Sequence, residues 1–279
     1  MQKDSLTEEI QRIAEAAGAS AVGLAFHDYQ TGESFDFDAD RWFHAASTIK
    51  IPILLGVFAA VDTGELNVDS RVHVRNAFVG VADGKMFRVE ATRDAGSEVY
   101  LQVGKTMKIR DLARHMIVTS SNLATNVLVE LVGIDTLRET VEDLGEGGIE
   151  LRRGVEDEVA YSEGINNRVT AAGLVGVLRA IEERALSEKS SSDMLRILHD
   201  QEFRSGIPAG LPDSARVAHK TGEISTVTHD AGIVYLPYRE PYVLAILTEW
   251  EASASGRRET IASLSRAVYD FLKEGREDD

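Results

Sequence analysis

Cysteine is absent from the chain. Its absence removes a disulfide framework, a cysteine nucleophile and any thiolate metal site, and it leaves redox chemistry silent about compartment. Positive charge is scarce as well: 30 Lys and Arg stand against 46 Asp and Glu, for a formal net charge of -16. An acidic field of this size repels nucleic-acid phosphates and anionic membrane surfaces, so neither is expected as a partner. No apolar run approaches the roughly 20 residues that would span a bilayer. The opening stretch MQKDSLTEEIQRIAEAA is polar and acidic, with no visible secretory leader. There are only five prolines, and no Pro-rich linker, low-complexity tract or internal repeat is seen. Also missing are a Gly-x-Ser-x-Gly elbow, a His-Glu-x-x-His helix and a phosphate-cradling Gly-rich loop, which sets aside three common enzyme classes.

What is present is a 279-residue chain, 43% hydrophobic, with material for one large domain or two modest ones. Residues 8–17 carry helical spacing, 20–27 (SAVGLAFH) read as a buried strand, Thr31-Gly32 as a turn and 33–37 as a return strand. From about residue 46 to 199 the spacing is helical, through Ile49, Ile53, Leu54 and Val57, then Leu112, Met116 and Ile117, then Leu123, Val127, Leu128 and Leu131, then Leu174, Val177, Leu178 and Ile181. Strand patterning returns in RVAHKT, HDAGIVYLP and YVLAILTEW, followed by a last amphipathic helix through Ile261, Leu264, Val268 and Leu272. The expected fold is α/β. Residues 1–45 and 200–279 form a discontinuous domain, an antiparallel sheet flanked by the terminal helices, and residues 46–199 form an inserted all-helical domain, with a cleft between the two. Two long irregular stretches, 75–103 and 145–168, have the length typical of functional loops.

Three short motifs carry chemistry. Ser47-Thr48-Ile49-Lys50 falls where the first strands give way to an apolar helix. One helical turn brings the Lys50 amine within reach of the Ser47 hydroxyl, a weak nucleophile that needs a base, while the free N–H groups of the helix start favour negative charge. Ser120-Ser121-Asn122 reads as a corner between two helices, where Ser120 can pass on a proton and the Asn122 amide can hold Lys50 and a substrate amide. Ser121 or Asn122 could equally serve as the cap of the second helix. Lys220-Thr221-Gly222 reads as a strand end, offering a cation and a hydroxyl to a carboxylate and a glycine that permits close approach of a ligand. Each motif alone is weak, because serines cap helices and such spacings recur by chance.

In this order, and on a helix start, a corner and a strand, the three form the set of the class A β-lactamases and penicillin-binding proteins. The chain resembles the class A β-lactamase family of serine hydrolases over nearly its whole length, from FHAASTIKIPILL through MIVTSSNLATNVLVELVG to HKTGEISTVTHDAGIVYLP. The resemblance implies an acyl-enzyme on Ser47, with Lys50 as base partner, Ser120 protonating the leaving nitrogen and Asn122 holding the substrate amide. It assigns the substrate carboxylate to Lys220 and Thr221, close approach to Gly222, and the oxyanion hole to the backbone N–H groups of Ser47 and Glu223. Lys220 also gives Lys50 a cationic neighbour, which favours a neutral amine. The implied substrates are β-lactams or D-amino-acid peptides and esters. No metal or organic cofactor is implied, and the expected protein is a monomer, periplasmic or secreted, of the kind that confers antibiotic resistance.

Two departures stand out. Ser121 replaces the acidic residue usual in the middle motif, and the family's loop glutamate, which activates the deacylating water, falls on Val155 when counted from Leu151 and Arg153. Glu156, and after it Asp157, are the nearest substitutes, so acylation is expected to be competent and deacylation slow. The alternatives are a penicillin-binding-protein-like D-alanyl peptidase or esterase, and a sensor or binding domain that acylates once without turnover. His44, His219 and His229 lack metal-ligand spacing and read as structural, and Trp42 beside Phe43 reads as core.

Overall fold

The computed structural model describes residues 3–94, 96–144 and 147–274. Ala95, Gly145 and Glu146, which belong to the two long irregular stretches, lie outside the described residues. A five-stranded antiparallel sheet is built from both ends of the chain: β1 (Ala21–Asp28) and β2 (Ser34–Phe37) with β10 (Arg216–Ile224), β11 (Val227–Tyr235) and β12 (Tyr242–Glu249), in the order β10-β11-β12-β1-β2. β11 and β12 are buried almost end to end, which explains their unbroken apolar reading. Side chains alternate between two cores. Tyr242, Leu244 and Ile246 face the terminal helices, whereas Val243, Ala245 and Leu247 face the inserted segment.

The outer core lies under α1 (Lys3–Ala17) and α10 (Arg257–Glu274). α1 starts at Lys3 rather than near residue 8, because Leu6 already joins Ile10 and Ile13 on its buried face. Each such side chain contributes about 1.5–3 kcal/mol on burial. On the inner face the sheet meets α8 (Ala171–Glu182) and α9 (Glu188–His199), with α2 (Lys50–Asp62) behind them. α2 is apolar all round and correspondingly buried all round. α4 (Ile109–Val118), α5 (Asn122–Val132) and α6 (Ile134–Leu144) complete the helical part.

The inserted segment also carries short strands: β4 (Arg71–His73) pairs with β7 (Thr106–Lys108), β5 (Phe78–Val79) with β6 (Met86–Phe87), and β9 (Arg168–Val169) with both β3 (Phe43–His44) and β8 (Ile149–Glu150). The 75–103 stretch therefore holds the β5–β6 hairpin, a 3₁₀ turn at Ala91–Arg93 and α3 (Ser97–Tyr100), and the 145–168 stretch holds β8 and α7 (Glu158–Ser162). Two local expectations fail. Trp42 is not core: it is 40% exposed, with the Arg168 guanidinium 5.1 Å from its ring centre, while Phe43 takes the buried place. Lys220 is not at a strand end, because β10 continues to Ile224 as the free edge of the sheet.

Candidate active site

A cleft of about 810 Å³ is lined by Ser47, Ser120, Asn122, Glu156, Thr221, Gly222 and Glu223, among others. Ser47 belongs to a 3₁₀ turn, Ala46–Ile49, that feeds α2. Ala46 has φ +44°, a left-handed conformation that costs an alanine on the order of 1–3 kcal/mol and persists only where the surroundings impose it. They do so here. The Ala46 N–H donates to His44 Nδ1 at 3.0 Å, and His229 Nε2 donates to the His44 carbonyl at 2.9 Å. Burial depresses both imidazoles to about 4, so His44 is a neutral acceptor at physiological pH. A Cβ on Gly222 would lie 3.0 Å from the backbone nitrogens of Ser47 and Thr48, tighter than an ordinary contact, so a glycine here lets β10 lie close against the nucleophile turn.

Lys50 is fully buried. Its Nζ donates to the Ser120 carbonyl at 2.7 Å and to Asn122 Oδ1 at 2.8 Å, and lies 3.1 Å from Ser120 Oγ. Burial first, and repulsion from Lys220 second, push this amine well below the ordinary lysine range, with Asp94 and Glu156 pulling the other way. A neutral amine has two N–H donors, which the carbonyl and the Asn122 amide accept. Its lone pair is then available to the Ser120 hydroxyl or to a second hydroxyl in the cleft.

The Ser120 corner is both a functional corner and a helix cap. Ser120 has φ +58°, and Ser121 Oγ caps α5 by accepting from the Ala124 N–H at 3.1 Å. The acid missing from the middle motif comes from elsewhere in the chain. Asp94, buried in the 75–103 stretch, accepts from Ser121 Oγ at 3.1 Å and from the backbone N–H groups of Asn122 at 2.9 Å, Leu123 at 3.3 Å and Gly96 at 3.1 Å. A carboxylate at a helix N-terminus is favoured by the free N–H groups and the dipole.

Val155, on which the count from Leu151 and Arg153 puts the family's glutamate, holds the loop in shape through its backbone, since its N–H and C=O pair with the Asn126 side chain, both at 2.8 Å. Glu156 has φ +63°. Its carboxylate accepts from Asn122 Nδ2 at 3.0 Å and pairs with Arg93 Nε at 2.9 Å. Burial raises the Glu156 carboxyl above the usual range, opposed by the charge of Arg93. Asp157, the second substitute, is occupied otherwise: it caps α7 through the Ala160 N–H at 3.1 Å and accepts from the Val81 N–H at 3.0 Å.

Lys220 is fully buried behind the cleft wall, donating to the Thr221 carbonyl at 2.7 Å, whereas Thr221, Gly222 and Glu223 face the cleft. Burial brings its amine down to about 7, with Asp230 opposing. The Glu223 carboxylate is turned outward to Arg258 Nε at 2.8 Å, which ties the exposed end of β10 to the start of α10. His219 is paired through Nδ1 with Asp230 Oδ1 at 2.9 Å. Among the described residues no group of three or more His, Asp or Glu side chains is arranged to hold a metal ion. Arg93 and Asp94 carried no signal in the sequence, because neither lies in a periodic segment or a known spacing, and Arg258 reads only as a polar position of the last amphipathic helix.

A sequence profile of the Beta-lactamase enzyme family matches residues 5–272. Extended-spectrum beta-lactamase PER-1 from Pseudomonas aeruginosa is 25% identical over 289 residues, covering 97% of this chain and 88% of that protein. Among solved structures, a mutant of PBP-A in an acyl-enzyme complex with penicillin-G superposes with a TM-score of 0.82 at 26% identity, covering 97% of both chains. The last common ancestor of Gram-negative bacteria beta-lactamase class A gives a TM-score of 0.83 at 26% identity, covering 96% of this chain and 99% of that one. The chain belongs to the beta-lactamase enzyme family, with the fold of its class A members.

Proposed function

We propose that this protein is a serine hydrolase that opens β-lactams through a covalent acyl-enzyme on Ser47 and releases the acid with Glu156 as the base for water. The observation that carries this reading is the buried Lys50 amine, depressed by burial and by Lys220, and held against Ser120 and Asn122, which line the cleft together with Ser47. Lys50 takes the Ser47 proton as Oγ attacks the carbonyl carbon. The N–H groups of Ser47 and Glu223 stabilise the oxyanion, a contribution of a few kcal/mol. Ser120 gives its proton to the departing nitrogen and is reprotonated through Lys50. Water then attacks the ester carbonyl, Glu156 takes its proton, and the Ser47 oxygen leaves as that proton is returned to it, which restores the hydroxyl and the Glu156 carboxylate. Thr221 holds the substrate carboxylate, and Lys220 supplies its charge from behind the cleft wall. The protein works as a monomer in the periplasm or outside the cell, and no helix among the described residues is long and apolar enough to cross a membrane.

A second reading, a penicillin-binding D-alanyl peptidase, is favoured by one feature of the sequence, a valine at position 155, where the count from Leu151 and Arg153 puts the family's glutamate. Stopped-flow kinetics with a chromogenic cephalosporin separates the readings. The expected trace is a burst of one equivalent followed by sustained turnover slower than the burst, and Glu156→Gln should keep the burst while lowering the slow phase about 10²-fold or more, in the range of a lost general base. An unchanged slow phase in that variant removes Glu156 from the mechanism. Turnover of D-Ala peptides in place of the cephalosporin would establish the peptidase reading.

Lys220 supplies a further prediction. Lys220→Ala takes a cation away from Lys50, so the Lys50 amine rises and the pH at which acylation sets in moves upward for any substrate. An added loss of about tenfold or more, confined to penicillins and not shared by an uncharged ester, reports the attraction of the Lys220 charge for the carboxylate. In kcat/KM that advantage should fade as pH rises through about 7, where the free Lys220 loses its proton. Equal losses at every pH for both substrates would contradict the carboxylate role.

A further inference from the structure

Three cavities meet at one ion pair. Arg93 and Glu156 both line the 810 Å³ cleft, an adjoining space of about 630 Å³ bounded by His44, Arg153 and Tyr161, and a rear space of about 410 Å³ under the β5–β6 hairpin. The pair is therefore the partition between the reaction site and the back of the 145–168 loop. Arg93 is fixed at both ends. Its neighbour Asp94 is locked to the Ser121–Asn122–Leu123 backbone, its own carbonyl accepts from Asn122 Nδ2 at 3.4 Å, and its guanidinium spans from Glu156 to Glu158.

We infer that Arg93 is a positioning residue for deacylation: its guanidinium holds the Glu156 carboxylate over the Asn122 amide, in the wall of the cleft, and Glu158 holds the guanidinium. This deepens the reading of Glu156 as the base for water and rests on it. The chain of contacts is continuous, from Lys50 Nζ to Asn122 Oδ1 at 2.8 Å, from Asn122 Nδ2 to Glu156 Oε1 at 3.0 Å, and from Glu156 Oε2 to Arg93 Nε at 2.9 Å. Asn122 can satisfy both neighbours only in one orientation of its amide, oxygen toward Lys50 and nitrogen toward Glu156. An ionised Glu156 fits that orientation, because it only accepts.

The charged groups acting on Glu156 are Arg93, Lys50 and Arg153, which favour its anion, and Glu158, which opposes it. Arg93 is the first of the cations in effect. Lys50 is largely neutral when the site is competent, and Arg153 is committed to the Ile165 and Gly154 carbonyls and to Asn166 Oδ1. Without Arg93, a half-buried carboxylate would face Glu158 with little counter-charge. It would take up a proton at higher pH, and a protonated carboxyl cannot accept a proton from water. A lysine in place of Arg93 keeps the charge but loses the fork that reaches two carboxylates.

The test follows the burst and the slow phase of cephalosporin turnover across pH for the parent enzyme, Arg93→Ala, Arg93→Lys and Glu156→Gln. For Arg93→Ala we expect the burst rate to stay within about threefold. The acid limb of the slow phase should move up by about one pH unit, a loss of about tenfold below the limb. Arg93→Lys should return the limb most of the way toward its parental position. An unmoved limb in Arg93→Ala overturns the inference, as does equal loss of burst and slow phase in both Arg93 variants, which would make Arg93 a general support of the fold. Glu156→Gln separates the two levels. If it leaves the slow phase intact, the reading of Glu156 fails; if it traps the acyl-enzyme while the Arg93→Ala limb stays in place, the role of Arg93 alone fails.

Discussion

Replacing Ser47 by alanine is expected to bring β-lactam turnover down to background, a loss on the order of 10⁵-fold or more, as for the nucleophile of other coupled catalytic units. Ser120 is the one serious competitor, since its Oγ lies 3.1 Å from Lys50 Nζ and it also lines the cleft. The backbone decides between them. Ser47 sits in the turn whose nitrogens lie against Gly222, the residue before Glu223, and in the proposed mechanism the N–H groups of Ser47 and Glu223 receive the oxyanion. Ser120 sits at a left-handed corner beyond α4, with its carbonyl spent on Lys50. A tetrahedral intermediate on Ser120 would lack those donors. Turnover in Ser47→Ala within tenfold of the parent would show that this choice is wrong.

Lys50→Ala is expected to slow acylation about 10³-fold or more, because a serine hydroxyl is a weak nucleophile at neutral pH and Lys50 is the base that the proposed mechanism gives it. The substitution is also structural. Lys50 is fully buried, and its removal leaves the Ser120 carbonyl and Asn122 Oδ1 short of a donor, at about 1–3 kcal/mol for each group left unpaired. Lys50→Met fills much of the same volume without an amine and serves as the companion variant. If both variants lose acylation while melting near the parent temperature, the amine itself is the cause. Acylation at the parental rate in either variant would place the base elsewhere.

The parts of the site that were legible in the sequence are those whose chemistry needs a fixed spacing along one element. Ser47 and Lys50 are one turn apart, Ser120 and Asn122 flank a cap, and Lys220 to Glu223 run along one strand, so each set could be read without knowing the fold. The sheet was legible for a related reason: β11 and β12 are buried on both faces and read as apolar runs. What was illegible arrives from irregular backbone. Asp94 replaces the missing acid of the middle motif from 27 residues before Ser121, through hydrogen bonds that leave no periodic trace. Arg93 reaches Glu156 across 63 positions, from a 3₁₀ turn inside a long loop. The inward swing of Glu156 depends on a left-handed φ at a non-glycine residue, a state that side-chain pattern does not announce. Lys220 misled in a different way, because a lysine beside a threonine and a glycine reads as an exposed strand end, whereas the edge of β10 leaves the threonine in the cleft and the lysine behind it.

The most direct test of the central claim is intact-mass analysis of the full chain after a brief incubation with a penicillin, followed by peptide mapping. A single adduct is expected, equal in mass to the whole penicillin, since ring opening loses no atoms. It should map to the peptide containing Ser47, accumulate further in Glu156→Gln, and be absent from Ser47→Ala. An adduct that persists in Ser47→Ala, or that maps to another residue in the parent protein, would contradict the account.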